Sequence, residues 1–275
     1  MARKALDGKV YFSYEDIHDA VSSSVARVKA FKPDVIVAIG GGSGIIVSPD
    51  GEILTNHHVA GSRPPGSIWT VVRPGGKFQK AKILGTDPRG DITLLKMLDP
   101  GPYPFVEYGD SDAIEIGQAV IALGNPFGFS KDGTPNVTTG LISAIHRYQG
   151  GYSDAIQTDT AINPGNSGGP LIDSAGRLIG VNTAIVSGSG SFSGVGFAVP
   201  VDEVNRIVPA LIRDGRVARP GIGIAVASPG RDLPPGLRAG TDPAGGIVVA
   251  QVFPDTPAAR AGLEGIAERG GALAV

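Results

Sequence analysis

The chain has 275 residues, of which 41% are hydrophobic and 18% charged, and its net charge is −2. Without cysteine it has no disulfide or thiolate–metal framework, and without a cluster of Lys and Arg we expect no nucleic-acid partner. No run of 18 apolar residues predicts a membrane span, and the opening "MARKALDGKVYFSY" lacks the apolar core of a signal peptide. These features fit a protein of one large or two small domains and leave its compartment open.

The first 42 residues predict a βαβ unit. "KVYFS" is typical of a short strand, and Ser13 can cap the helix that follows it. Apolar residues then recur at helical spacing: Ile17, Val21, Val25 and Val28. The continuous apolar run Val35–Ile39 predicts a strand buried on both faces, and three glycines follow it.

From Gly44 to about Val199 the pattern changes to short strands. Runs such as "GIIVS", "ITLLKM" and "QAVIALG" are separated by the turn signals "SPDG", "RPGG" and "DPRG". Regularly spaced strands with Gly/Pro turns predict a β-sandwich or barrel. One helix follows, on whose single face we place six apolar residues, with Gly215 as its C-cap: Val201, Val204, Ile207, Val208, Leu211 and Ile212.

Two interpretations of the N-terminal segment remain. Parallel α/β units and antiparallel barrels rarely share a sheet, which favours a seam near residue 42 between unrelated pieces. In the alternative, "VIVAI" is the first strand of the barrel. From Pro220 onward the chain is rich in Pro and Gly, with two strand-like runs, "GIGIAV" and "GIVVAQVF", and one helical turn in "TPAARAGL".

A candidate nucleophile lies in "AINPGNSGGPLID". Pro164, Gly165 and Asn166 can form a tight turn that exposes the Ser167 hydroxyl. Such a turn also directs the N–H groups of Gly165 and Ser167 to one side, as an oxyanion hole requires. Taken alone, the segment fits a Gly-rich hairpin of a β protein equally well.

A serine nucleophile needs a base and a carboxylate that orients the base. The chain contains four histidines: His18, His57, His58 and His146. We expect His18 on the surface of the first helix and His146 at a strand end, whereas "LTNHHVAG" places a pair where a strand meets a cleft. Asp91 leads directly into an apolar strand and is the favoured carboxylate, while Asp87 in the turn "TDPRG" is expected to be solvated.

Five ordered motifs resemble the HtrA (Deg-type) serine proteases: "GSGIIVSPDGEILTNHHV", "DPRGDITLLKM", "LGNPFG", "QTDTAINPGNSGGPLID" and "GVGFAVP". The resemblance runs from about Gly42 to Leu263. It implies a trypsin-like double β-barrel in a mainly β chain, and a catalytic triad of His58, Asp91 and Ser167, since the family base directly precedes the Val of "TNxHV".

The resemblance also implies the surroundings of the triad. It groups Gly165, Asn166 and Ser167 as the oxyanion hole. Substrate would contact Ile162, Asn163, Thr183, Ala184 and Ile185, and two of these, Ile162 and Ile185, would wall an S1 pocket for small aliphatic side chains. No metal or organic cofactor is expected, because no metal-ligand spacing such as "HExxH" occurs.

Three segments are predicted on this basis. Residues 1–42 resemble the start of a purine phosphoribosyltransferase of the xanthine/hypoxanthine kind. Residues 43–215 form the protease domain, with a linker between its barrels near 109–117. Residues 216–275 resemble a PDZ domain whose final strands are missing.

Three functions follow from these segments. The favoured one is a serine endopeptidase that acts on proteins or peptides; family members are often trimers in the cell envelope, and here the segment that usually builds the trimer is replaced. The second is an incomplete, catalytically impaired chain that binds peptides. The third, phosphoribosyl transfer, lacks its ribose-phosphate motif in this sequence.

Overall fold

The computed structural model describes most of the chain: residues 3–4, 10–11, 35–39, 41–125, 133–149, 152–185, 193–226, 249–265, 267–269 and 272–274. The chain divides into two compact units, residues 1–217 and 218–275. At the N-terminus of the first unit, β1 (Arg3–Lys4) pairs with β2 (Val10–Tyr11), which falls within the predicted strand "KVYFS". The predicted helix that carries Ile17 and Val28 lies outside the described residues.

The first unit contains two closed barrels of six antiparallel strands each. The first barrel comprises β3 (Ile36–Ile39), β4 (Gly42–Ile46), β5 (Glu52–Thr55), β6 (Ile68–Arg73), β7 (Lys77–Asp87) and β8 (Ile92–Met97). The second comprises β9 (Ala119–Gly124), β10 (Asn136–Gln149), β11 (Tyr152–Thr158), β12 (Pro170–Asp173), β13 (Leu178–Ile185) and β14 (Gly196–Pro200). The predicted linker near 109–117 lies within the connection from β8 to β9.

Buried and exposed side chains alternate along the barrel strands, so that every second side chain points into the barrel. Along β7, residues Gln79, Ala81 and Ile83 are buried while their neighbours are exposed or half-buried, as expected of a strand with one face toward a core. Each barrel has its own apolar cluster. A third cluster joins the barrels through Ile45 and Leu54 of the first and Leu123 and Val181 of the second. This shared core fixes the position of one barrel against the other.

The predicted seam at residue 42 is wrong as a boundary of the barrel. Strand β3 pairs with β4 through Ile36↔Ile45 and Ile39↔Gly42, and with β6 through Ala38↔Val72. It therefore closes the first barrel, and a cut after residue 42 would remove one of six strands. A strand buried on both faces has the same sequence pattern in a parallel sheet and in a closed barrel packed against a second one.

Helix α1 (Val201–Asp214) follows the second barrel and packs into the shared core. Gly215 ends it with φ 70° and an N–H bond to the Leu211 carbonyl, which confirms the predicted C-cap. Of the six residues placed on its apolar face, four are buried and Val208 is half-buried, but Ile212 is 57% exposed. Because each residue advances about 100°, Ile212 lies beside the buried stripe rather than on it.

Among its described residues, the second unit contains two pairs of antiparallel strands and a short helix. Strand β15 (Ile224–Val226) pairs with β16 (Val249–Val252), and β17 (Ala267–Arg269) with β18 (Ala272–Ala274). Helix α2 (Pro257–Arg260) is capped by the Thr256 hydroxyl, which accepts from the Ala259 N–H. Strands β15 and β16 and helix α2 agree with the strand-like runs and helical turn expected there, whereas β17 and β18 were not predicted. The assignment to a PDZ domain stays a prediction. None of the helices in the described residues is long and apolar enough to cross a membrane.

Candidate active site

The histidine pair begins a π-helical turn, His57–Gly61, directly after β5. The side chain of His57 turns back toward the barrel, where its Nδ1 lies 2.6 Å from the Thr86 hydroxyl. Gly61 permits this turn, because a Cβ there would lie 2.1 Å from His57 Nδ1. His58 points outward instead, with a half-exposed side chain. The sequence pattern indicated a strand end here; the structure adds a turn that separates the two rings.

Asp91 holds His58 at two points. The His58 backbone N–H donates to Asp91 Oδ1 over 2.9 Å, and His58 Nδ1 lies 2.8 Å from Asp91 Oδ2. The Asp91 carbonyl in turn accepts from the Asn56 side chain and the His57 N–H. Asp91 itself is 3% exposed and has φ 53°, a left-handed conformation that Asp tolerates better than most residues. The imidazole is thus fixed in one orientation.

A residue of the second barrel completes the environment of Asp91. The Thr183 hydroxyl, on β13, donates to Asp91 Oδ2 over 2.5 Å. Burial by itself raises the pKa of Asp91, but the hydrogen bonds from His58 and Thr183 and the charge of His58 outweigh it and lower the pKa below its usual range. Asp91 is therefore held as a carboxylate. Thr183 was expected only as a substrate contact, so sequence reasoning missed this contact.

Ser167 lies in a tight turn built by glycines. Gly165 has φ 106° and Gly168 has φ 83°, both in the left-handed region. The turn is closed by two backbone bonds of 2.9 Å, from the Asn166 N–H to the Asn163 carbonyl and from Gly169 to Asn166. The predicted turn is therefore present, and it leaves the Ser167 side chain half-buried at the cleft rather than inside the second barrel.

The Ser167 hydroxyl donates to the Thr183 carbonyl over 3.1 Å. Among the hydrogen bonds of the described residues, none joins Ser167 to His58. Thr183 therefore contacts two of the three predicted catalytic residues, Asp91 through its hydroxyl and Ser167 through its carbonyl. In free enzymes the bond between nucleophile and base is often long and tightens only when substrate binds.

The predicted oxyanion residues divide into two kinds. The N–H groups of Gly165 and Ser167 donate to no other backbone group among the described residues. The N–H of Asn166, which we grouped with them, donates to the Asn163 carbonyl and is already used. Two donors, not three, remain at this turn.

The predicted substrate contacts are distributed unevenly. Ile162 is 1% exposed and packs in the core of the second barrel, where a Cβ on Gly196 would lie 2.9 Å from its Cδ1. It does not wall an open pocket in this structure. Asn163 is half-buried and lies beside the Ser167 turn. Ala184 and Ile185 belong to β13, and their side chains lie outside the described part of the chain.

The other candidate residues lie elsewhere or play other parts. Asp87 was expected to be solvated, but it is 1% exposed because β7 extends through it and pairs it with Ile92. His146 is not at a strand end; it lies inside β10 at φ 54° and pairs with Asp154 on the surface. His18 falls outside the described residues. Within the described part of the chain, no three metal-ligating side chains cluster together.

The fold and this site define a trypsin-like peptidase. Two closed six-stranded barrels face each other, with a His–Asp pair on the first and a serine in a Gly-rich turn on the second. A family model described as a trypsin-like peptidase domain matches residues 42–181, about half of the chain.

Relatives and solved structures narrow the class further. A probable periplasmic serine endoprotease, DegP-like, from Chlamydia pneumoniae is 42% identical over 226 residues, covering 81% of this chain and 44% of that one. The HtrA-type protease AlgW, solved with a tripeptide, is 39% identical with a TM-score of 0.68 and covers 86% of this chain and 78% of that one. A serine endoprotease from Yersinia pestis is 32% identical with a TM-score of 0.65, over 93% of this chain and 80% of that one. The chain belongs to the HtrA-type trypsin-like peptidases.

Two further points come from the comparisons. The chain spans less than half the length of the curated relatives that it matches. The resemblance of residues 1–42 to a purine phosphoribosyltransferase is not supported by these comparisons. A second family model, described as Peptidase S46, matches residues 19–63 and is unrelated to that resemblance.

Proposed function

We propose that this protein is a serine endopeptidase that hydrolyses peptide bonds of proteins. Its relatives are named as serine endoproteases. The observation that carries the proposal is the pair of hydrogen bonds by which Asp91 holds His58, one to its backbone N–H and one to its Nδ1. A buried carboxylate that fixes one tautomer of the imidazole allows that imidazole to activate a serine. Ser167 lies on the opposite barrel and is connected to Asp91 through Thr183.

In the proposed reaction Ser167 Oγ attacks the scissile carbonyl carbon while His58 Nε2 takes its proton. Asp91 stabilises the imidazolium without being protonated, consistent with its lowered pKa. The N–H groups of Gly165 and Ser167 donate to the oxyanion, and one such donor is typically worth ~10²–10³ in rate. The C–N bond then breaks as His58 protonates the leaving amine, and water hydrolyses the acyl-enzyme by the same steps.

A catalytically impaired peptide-binding protein is the second candidate. It is favoured by one observation, the bond from the Ser167 hydroxyl to the Thr183 carbonyl, which engages the proton that His58 would have to take. Under the first proposal, substrate binding rotates Ser167 about χ1 toward His58.

Degradation of an unfolded protein such as reduced casein by the full chain separates the candidates. The first predicts cleavage that Ser167→Ala abolishes. The second predicts binding of casein without cleavage by both proteins.

We also infer the setting of this activity from the relatives, several of which are named periplasmic. We place the protein in the cell envelope, and we keep a homotrimer as its expected assembly and small aliphatic side chains as its preference before the cut. Cell fractionation, sedimentation velocity and a peptide library test these three statements. A cytoplasmic location would overturn the first statement, a monomer the second, and cleavage mainly after Lys or Arg the third.

A further inference from the structure

Ser43 joins the first barrel to the nucleophile turn of the second. It lies on β4 and is fully buried. Its hydroxyl donates to the Gly165 carbonyl over 2.7 Å, and its N–H donates to the Ser167 carbonyl over 2.8 Å. The same hydroxyl accepts from the Asn125 N–H over 3.0 Å, and its carbonyl accepts from Thr55. All the polar groups of Ser43 are therefore used, and two of them hold the turn around Ser167.

These bonds fix two peptide groups of the turn at both ends. In the peptide between Gly165 and Asn166, the carbonyl is held by Ser43 and the N–H by Asn163. In the peptide between Ser167 and Gly168, the carbonyl is held by Ser43 and the N–H by Asn182. The two N–H groups proposed for the oxyanion hole, on Gly165 and Ser167, lie next to these fixed peptides. The peptide that carries the Ser167 N–H lies between the two fixed peptides, and the peptide that carries the Gly165 N–H lies next to the first of them, so the bonds from Ser43 limit how far both N–H groups can turn.

Glycines on both sides permit the close approach. A Cβ on Gly42 would lie 2.7 Å from a methyl group of Val59 and 3.0 Å from the Ser167 carbonyl. A Cβ on Gly168 would lie 2.1 Å from the Ser43 carbonyl. Gly42 and Gly168 thus allow the backbone of Ser43 to lie directly against the nucleophile turn.

We propose that Ser43 is a positioning residue for the oxyanion hole, resting on the proposed peptidase function. It touches no reacting atom and acts through the backbone of Gly165 and Ser167. Loss of its hydroxyl removes the donor to the buried Gly165 carbonyl and one acceptor of the Asn125 N–H. The freed peptide can then rotate and misdirect the donors. Because a displacement of ~1 Å in an active site can cost ~10²-fold in rate, we expect a loss in kcat of about 10- to 100-fold.

The test compares Ser43→Ala with Ser48→Ala in the full chain. Ser48 is a matched control, because it loses a hydroxyl that bonds Glu52 in the same β4–β5 hairpin, away from the turn. Active sites are counted by prolonged fluorophosphonate labelling, and kcat and KM for one peptide are expressed per labelled site. The inhibition constant of a peptide aldehyde, whose adduct carries an oxyanion, is measured beside them.

For Ser43→Ala we expect kcat per site to fall by about 10- to 100-fold, KM to change by less than about threefold, and aldehyde affinity to fall in step with kcat/KM. Ser48→Ala should match the wild type. Unchanged kcat per site with fewer labelled sites would assign Ser43 a purely structural role and overturn the proposal. If Ser43→Ala fails to fold, Ser43→Cys, which fills the site with a somewhat larger side chain but donates weakly, carries the same comparison. A wild type that neither cleaves nor labels would instead overturn the peptidase function itself.

Discussion

Thr183 donates a 2.5 Å hydrogen bond to Asp91 across the two barrels, and its carbonyl accepts from Ser167. Two catalytic candidates that belong to different barrels are thus aligned through one residue. Since a hydrogen bond to a buried charge contributes ~1.5–3 kcal/mol, this contact is strong enough to affect both stability and rate.

Thr183→Val keeps the shape of the side chain but removes the donor to Asp91. We expect kcat/KM for a peptide substrate to fall by about 10- to 100-fold, because Asp91 loses part of the interaction that holds it as an oriented carboxylate. Thr183→Ser retains the hydroxyl and should stay within about threefold of the wild type. Equal rates for Thr183→Val and Thr183→Ser would show that this bond is irrelevant to catalysis.

The lowered pKa of Asp91 predicts how stability depends on pH. A carboxylate with a lowered folded-state pKa stabilises the protein above its unfolded pKa, ~3.9, and this contribution is lost as pH falls through the folded pKa. In thermal melts between pH 6 and pH 2, the wild type should therefore lose more stability than Asp91→Asn, and the gap between their melting temperatures should narrow below about pH 4. If the melting temperatures of the two proteins changed in parallel with pH, the lowered pKa of Asp91 would be contradicted.

Alanine variants of the two adjacent histidines should differ in whether they lose activity or stability. His58→Ala removes the base and should lower kcat by ~10³-fold or more, with a smaller change in melting temperature than His57→Ala, since the His58 side chain is half-exposed. His57→Ala removes a ring that contacts Thr86 behind Gly61. It should lower the melting temperature and leave kcat within about tenfold of the wild type. Peptidase assays and melts of both variants check this, and the reverse pattern would move the base to His57.

Gly168 and Gly176 share a φ of 83° but differ in their surroundings. A Cβ on Gly168 would meet the Ser43 carbonyl at 2.1 Å, whereas a Cβ on Gly176 meets nothing within 4 Å. Gly176→Ala should cost only the left-handed strain of ~1–2 kcal/mol and keep full activity. Gly168→Ala should cost about 1–3 kcal/mol more and lose activity, because a backbone atom cannot move aside. Urea unfolding and kcat together decide this, and equal effects would exclude a packed turn around Ser43.

Sequence patterns predicted the structure well where a feature depends only on residues that are neighbours in the chain. The Gly165–Ser167 turn, the strand after Asp91 and the Gly215 cap all follow from residues next to one another. Ile212 was wrongly placed on the buried face of its helix, because it is apolar and lies next to that face. Asp87 was misplaced because a turn motif does not show where the preceding strand ends.

Contacts between distant positions could not be predicted in this way. Thr183 and Asp91 are 92 residues apart, and Ser43 and Gly165 are 122 apart. Neither serine nor threonine carries a local signal for such a bond. For the strand at Val35–Ile39 the sequence favoured a separate segment over the alternative of a first barrel strand, because its buried pattern does not reveal its neighbours. The pairing of β3 with β6 shows that the alternative is correct.

The central claim is that Ser167 is an activated nucleophile, and a fluorophosphonate probe tests it most directly. The full chain is incubated with the probe, digested, and mapped by mass spectrometry, with Ser167→Ala and His58→Ala treated in parallel. The account predicts one adduct, on Ser167, which is lost in the first variant and much slower to form in the second. A folded protein that forms no adduct, or forms it on another serine, would contradict the account.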